Sequence, residues 1–155
     1  MTEIRECRTD EIAGAEALSR EAFEGLRRIY RPTAAARAQR AASQSQQTRL
    51  VAIEGKDLAG TVEYCVQGDL LRFRGLAVRP DLRHRGIARR FLEALSAIAR
   101  ERRCRALRLF TIRESLNEPV FAALGFVVVA EGPADGFVTP DGGAVVEVEM
   151  EKRLV

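Results

Sequence analysis

Residues 70–78 alternate in the manner of a strand, and from Gly86 onward the apolar positions take up the spacing of a helix. Ile87, Phe91, Leu95 and Ile98, with Ala88, Leu92 and Ala99 beside them, draw one stripe of about four turns. A second apolar run at 106–112 follows. A strand, a long helix and another strand make a crossover between parallel neighbours, which is right-handed in nearly every known case. Upstream, runs at 50–54, 58–66 and 70–78 are separated only by Gly55-Lys56-Asp57 and Gly68-Asp69, turn sequences that fold consecutive strands back on one another. The sheet is therefore mixed, antiparallel at its start and parallel at the crossover.

The remaining elements fill in around this centre. A short strand is expected at 3–8. Thr9-Asp10 then caps a helix with Ile12, Ala15, Ala17, Leu18, Ala22 and Phe23 on its apolar side. Pro32-Thr33 opens an Ala/Arg/Gln-rich helix to about residue 46, and 117–124 reads as a short helix. A strand at 126–131, a Pro/Gly-rich loop at 132–143 and a last strand at 144–152 complete the chain. The expected architecture is α+β, order β-α-α-β-β-β-α-β-α-β-β, a sheet of about seven strands and about four helices, in one domain spanning 1–155.

Charge is distributed unevenly. Thirteen arginines lie between Arg72 and Arg113 against Asp81, Glu93 and Glu101, so this stretch carries +10 in a chain whose net charge is +3. A cationic centre in an acidic surround suits an anionic partner held at one place, either nucleic acid or a phosphorylated cofactor. Nucleic acid is disfavoured because Phe73, Phe91 and Phe110 fall on expected core positions, leaving no aromatics for base stacking. With 46% apolar residues and no unbroken apolar run longer than the five residues of 126–130, neither a disordered chain nor a membrane span fits. No secretory signal is visible, and Cys7, Cys65 and Cys104 form neither a disulfide framework nor a metal spacing. The expectation is a reduced, cytoplasmic protein without membrane or metal, its cysteines serving as small core residues.

At the crossover the sequence runs Leu76-Ala77-Val78-Arg79-Pro80-Asp81-Leu82-Arg83-His84-Arg85-Gly86-Ile87-Ala88-Arg89. The first turn of the helix presents unpaired N–H groups and roughly half a positive charge. Small residues at Gly86 and Ala88 let a phosphate approach this backbone, and Arg83, Arg85 and Arg89 add charge, which together make a pyrophosphate cradle. No Gly-Lys-Ser/Thr follows, and no Gly-x-Gly-x-x-Gly is present, so it is neither a P-loop nor a dinucleotide fingerprint.

Arg83-His84-Arg85-Gly86-Ile87-Ala88 resembles the Arg/Gln-x-x-Gly-x-Gly/Ala signature of the GCN5-related N-acetyltransferases, and Asn117-Glu118-Pro119-Val120-Phe121-Ala122-Ala123-Leu124-Gly125-Phe126 resembles that family's Asn…Phe/Tyr-x-x-Leu-Gly-Phe segment. The resemblance covers about residues 50–129. It implies transfer of acetyl from acetyl-CoA directly to a primary amine of a small molecule or peptide. The backbone of Leu76, Ala77 and Val78 would pair with the pantetheine arm, and Arg83, His84, Arg85, Gly86, Ile87, Ala88 and Arg89 would hold the pyrophosphate. Asn117 would lie near the pantetheine and Phe121 near the thioester sulfur, with a backbone N–H near Val78 polarising the acetyl carbonyl. Many members are dimers, so a homodimer is among the expectations.

Two departures from the family pattern bear on chemistry. Phe121 stands where a Tyr often acts as general acid, and Arg72 stands where some members carry a base glutamate. The first departure keeps open an alternative, a non-catalytic acetyl-CoA-binding sensor or partner module. Glu63 is the expected base, acting through water, with Glu114 a lesser candidate; His84, the only histidine, lies on the phosphate side. Glu63 has a second reading as the cross-strand ion-pair partner of Arg74. Arg72, Arg74, Leu76 and Val78 are expected to alternate onto one face, where Arg72 and Arg74 either meet an anionic group on the acceptor or stay solvated. Tyr30, Phe23, residues 32–46 and the loop 132–143 are the expected acceptor walls.

Overall fold

The computed structural model describes residues 2–155. Strand β1 (Thr2–Glu6) leads through a single 3₁₀ turn into helix α1 (Ile12–Glu24). Strand β2 (Arg31–Pro32) and helix α2 (Ala34–Ala42) follow, then β3 (Thr48–Glu54), β4 (Asp57–Gln67) and β5 (Leu70–Val78). Helix α3 (Ile87–Glu101) crosses to β6 (Ala106–Ile112), and α4 (Glu118–Ala123), β7 (Val127–Val138) and β8 (Ala144–Arg153) complete the chain. The strands form one open sheet in the order β1-β3-β4-β5-β6-β8-β7-β2, antiparallel everywhere except between β5 and β6.

Helices α3 and α4 cover one face. Phe91, Leu95 and Ile87 of α3 meet Leu71, Phe73, Leu107 and Leu109 of the central strands, with Phe121 and Leu124 of α4 packed at the margin. Each such side chain taken wholly from water contributes about 1.5–3 kcal/mol, which is why this stripe organises the domain. Helix α1 lies against β4 and β5 from the other side, burying Ala15 and Leu18. Beyond its reach that second face is charged. Arg105 bonds Asp69 and Glu151 (both 2.7 Å), and Arg108 bonds Glu149 (3.0 Å) and Glu151. Among the described residues no helix is long and apolar enough to cross a membrane.

The expected α+β architecture is the one observed, with an eighth, two-residue strand added where Arg31 and Pro32 pair with Val138 and Phe137 of β7. Two element boundaries need correction. Helix α2 starts after Pro32, with Thr33 as its cap (Oγ1 accepts from the Ala36 N–H at 3.1 Å), and ends at Ala42. Most of the stretch expected to be the loop 132–143 is strand: β7 continues through Pro133 and Gly136 to Val138. Proline is tolerated because its missing N–H falls where the ladder is already irregular, between the Pro133–Val146 and Val138–Ala144 pairs, and because β2 covers only the far end of this edge.

Candidate active site

Strands β5 and β6 pair over only three positions, Leu70 with Ala106, Leu71 with Leu107 and Arg72 with Arg108. Past them the strands diverge. From Phe73 to Val78, β5 is paired to β4 alone, and β6 from Leu109 to Ile112 is paired to β8 alone. The sheet thus opens into a wedge with a free backbone edge along β5. Gly75 produces the divergence: its φ of +66° inserts one extra residue opposite β4, so that Arg74 pairs with Glu63 and Ala77 with Thr61.

This bulge corrects the expected alternation. Arg72 and Arg74 stay on the face that α1 partly covers, whereas Leu76 and Val78 turn to the α3 face and pack against the core. Ala77, 3% exposed, points the other way. The side chains of these three residues are thus occupied in packing, and only their backbone groups are available to the wedge. Gly60 guards the same place from behind. A Cβ there would sit 2.7 Å from the Ala77 carbonyl oxygen and 3.0 Å from the Phe91 ring.

At the wide end of the wedge the chain turns through a 3₁₀ segment at Pro80–Leu82 into α3. Arg79 is held by Asp81 (Nε–Oδ1 3.0 Å, Nη2–Oδ2 2.6 Å) and its N–H donates to the Ala59 carbonyl at 2.8 Å. His84 (φ +65°) and Gly86 (φ +81°) are both left-handed, which turns successive backbone N–H groups toward one hollow at the start of a 15-residue helix. A Cβ on Gly86 would touch nothing within 4 Å, so the hollow is open. Arg83, Arg85 and Arg89 are exposed and form no direct ion pair among the described residues, with Glu54 and Asp81 the acidic neighbours of Arg85; the Ile87 side chain is buried, leaving its N–H to face the turn.

Asn117 precedes the six-residue α4, its carbonyl accepting from the Phe121 N–H at 3.1 Å. Phe121 sits in an aromatic cluster, with ring centroids 6.5 Å from Phe73 and 5.9 Å from Phe126. Glu63 is 4% exposed, and both its oxygens are held by guanidinium groups: Oε1 by Arg49 at 2.8 Å and Oε2 by Arg74 at 3.0 Å. Glu114 accepts from the Val146 N–H at 3.0 Å. Arg72 lies over the Phe110 ring (5.4 Å) and 3.7 Å from Glu149. Tyr30 meets Phe137 edge-on at 5.3 Å with Arg27 over its ring, and burial raises its phenol above the usual value.

Two charged residues not singled out from the sequence belong to this place. Arg40 extends from α2 over β5, its Nη2 only 3.2 Å from where a Cβ on Gly75 would lie; its side chain forms no hydrogen bond or ion pair among the described residues, while its carbonyl accepts from the Ser43 hydroxyl at 3.1 Å. Arg40 is exposed, and its charged neighbours are Arg74, Glu63, Arg27 and Arg49. Glu147, opposite Ile112, shares the sheet face of Phe110 and Glu149 and likewise has no cationic partner among the described residues. Burial, then Asp135 and Glu149, pushes its carboxyl up. In sequence Glu147 is one of three alternating glutamates, and its two companions differ only in being paired to arginines. Arg40 carried no sequence signal beyond its place in a basic, alanine-rich helix.

An open wedge with a free strand edge that leads to an anion-accepting helix start fits a long thiol cofactor with a phosphorylated tail. Comparison with known proteins agrees. The model of the acetyltransferase (GNAT) family matches residues 13–126. A search of curated protein sequences finds no significant match. Among solved structures, the fold is similar to that of the ribosomal-protein-S18-alanine N-acetyltransferase from Escherichia coli (18% identity, 99% of this chain and 94% of that one, TM-score 0.74). It is also similar to a GCN5-related N-acetyltransferase from Kribbella flavida (15%, 99% and 98%, TM-score 0.75) and to an IAA acetyltransferase from Bacillus cereus (14%, 99% and 100%, TM-score 0.71). The chain belongs to the GNAT acetyltransferase family and is an acetyl-CoA-dependent N-acetyltransferase.

Proposed function

We propose that this protein, acting in the cytoplasm, moves the acetyl group of acetyl-CoA directly onto a primary amine of a small molecule or peptide. The observation that carries the reading is the wedge: β5 leaves β6 after three pairs, and its free edge runs straight to the Gly86 turn. Acetyl-CoA supplies an activated acetyl thioester. Backbone groups of Leu76, Ala77 and Val78 bind its arm as an added strand would bind, and the Val78 N–H polarises the acetyl carbonyl. The N–H groups of Ile87 and Ala88, with Arg83, Arg85, Arg89 and the His84 turn, hold the pyrophosphate. Asn117 and Phe121 line the arm from α4.

An N–C bond forms as the C–S bond breaks, the amine gives up a proton, and the thiolate leaves to take a proton from water, since Phe121 has none to give. Removing a proton from an amine of pKa near 10 costs roughly 4 kcal/mol at pH 7. Glu63 is a poor recipient, because accepting a proton would disrupt its bonds to Arg49 and Arg74. Glu147 takes that role, unpaired and on the acceptor face.

The test is thioester consumption over a panel of amines together with acetyl-CoA binding by calorimetry. Turnover with at least one amine is the expected outcome. Binding of acetyl-CoA without turnover on any amine would overturn the direct-transfer reading.

A further inference from the structure

Helix α2 is placed as a bridge. At its start, Ala36 lies 3.1 Å from where a Cβ on Gly136 of β7 would be, and at its end Arg40 lies over Gly75 of β5. Just beyond, the Ser43 hydroxyl and the Gln44 side-chain carbonyl accept from Arg74 (3.2 and 3.4 Å). Strands β6 and β8 lie between β5 and β7. Helix α2 thus runs from β7 toward β5 on the side of the sheet that carries Arg74, Phe110 and Glu147.

This side of the sheet has two electrical ends. At the β5 end Arg40 and Arg74, with Arg27 and Arg49 close by, surround one carboxylate, Glu63, whose two oxygens already serve Arg49 and Arg74. Arg40 has only that carboxylate near it, and both of its oxygens are already bonded to other arginines. Folding gains nothing from gathering like charges this way. At the β8 end the opposite holds: Glu147 is flanked by Asp135 and Glu149. Arginine is the residue suited to grip a carboxylate or phosphate, since its planar fork matches two oxygens at once.

We infer that the acceptor is an amine that also carries an oxyanion, a carboxylate or a phosphonate or phosphate, held by Arg40 and Arg74 with the amine directed toward Glu147. The inference rests on the acetyl-transfer reading above and narrows its acceptor. Polycationic amines are disfavoured by the same arginines, which gives the site selectivity by repulsion as well as by attraction.

The experiment compares matched acceptors on the full chain: amino acids, their carboxamides, the corresponding aminoalkylphosphonates and a diamine. Carboxylate or phosphonate acceptors are expected to exceed their neutral partners at least tenfold in kcat/KM, and the ratio of the two anionic series identifies the preferred oxyanion. Arg40→Gln is expected to cut the anionic-to-neutral ratio at least tenfold, chiefly through KM, without lowering the melting temperature or the affinity for coenzyme A. Equal use of neutral and anionic acceptors, preference for the diamine, or an Arg40→Gln ratio unchanged from wild type overturns the inference. If no amine is acetylated, the transfer reading fails, and the subsite is then read by calorimetry on coenzyme-A-loaded protein with N-acetyl amino acids against their amides. Binding of the acids that Arg40→Gln abolishes sustains the oxyanion subsite, and its absence removes it.

Discussion

Replacing Glu63 by glutamine separates a structural carboxylate from a catalytic one. Glu63 is 4% exposed, and the Arg49 side chain 12% and Arg74 28%. Glutamine keeps one carbonyl oxygen for one guanidinium and turns an NH₂ toward the other. Removing one member of a buried ion pair costs about 3–5 kcal/mol, because the surviving charge is left without a counterion. Arg74 retains Ser43 and Gln44 and some water, and Arg49 retains the Thr61 hydroxyl at 3.1 Å, which places this case near the lower end, about 3 kcal/mol. For a domain of this size that is a fall in Tm of roughly 6–12 °C. Thermal and urea unfolding measure it, and kinetics at 25 °C, where the variant is still folded, should show kcat within a few-fold of wild type. Pairing the change with Arg49→Met should recover part of the loss, since a buried pair replaced by apolar groups is far less damaging than a broken one. A Tm within 2 °C of wild type with kcat down a hundredfold or more would refute the reasoning and return Glu63 to the chemistry.

Three further perturbations probe the wedge. Glu147→Gln should lower kcat/KM by about 10²–10⁴ and remove the limb of the pH profile that rises above the usual carboxylate range, leaving only the amine's own titration. Because burial and acidic neighbours raise the folded-state pKa of Glu147, its contribution to stability is full at acidic pH and lost as pH rises through that raised value, so Glu147→Gln should raise Tm at pH 7 but not at pH 4. Gly86→Glu sets a carboxylate over the helix start at φ +81° and should weaken coenzyme A binding at least a hundredfold by calorimetry; unchanged affinity would remove the pyrophosphate from this turn. Gly60→Ala forces a methyl group against the Ala77 carbonyl and the Phe91 ring, and should cost about 1–3 kcal/mol in urea unfolding and at least tenfold in acetyl-CoA affinity. Loss of stability with affinity intact would mean the β5 edge does not grip the cofactor.

What the sequence made legible was what short stretches of chain decide. The period of α3 and the turn at Gly86 are local, and both are where residues 76–98 place them. The glycines inside strands show where local reading stops. Gly75 in a strand is a bulge signal, yet the alternation of Arg72, Arg74, Leu76 and Val78 runs through it undisturbed on paper, and only the pairing of Ala77 with Thr61 reveals the extra residue. Pro133 and Gly136 carry the opposite lesson: as turn formers they argue for a loop, but the ladder at that edge is irregular, so β7 continues through them. The site depends on a property still further from local sequence, the absence of a partner. Arg40 and Glu147 are two charges in a chain with 25 basic and 22 acidic side chains, most of them indistinguishable by type or spacing. Glu149 and Glu151 are neutralised by Arg72, Arg105 and Arg108, and Glu63 by Arg49 and Arg74, which among these residues leaves Arg40 without an ion pair and Glu147 without a cationic neighbour. Which charges remain unpaired is settled only when α2 crosses from β7 to β5 and the eight strands take their order, and an acceptor carrying both an oxyanion and an amine would meet a complement at each end.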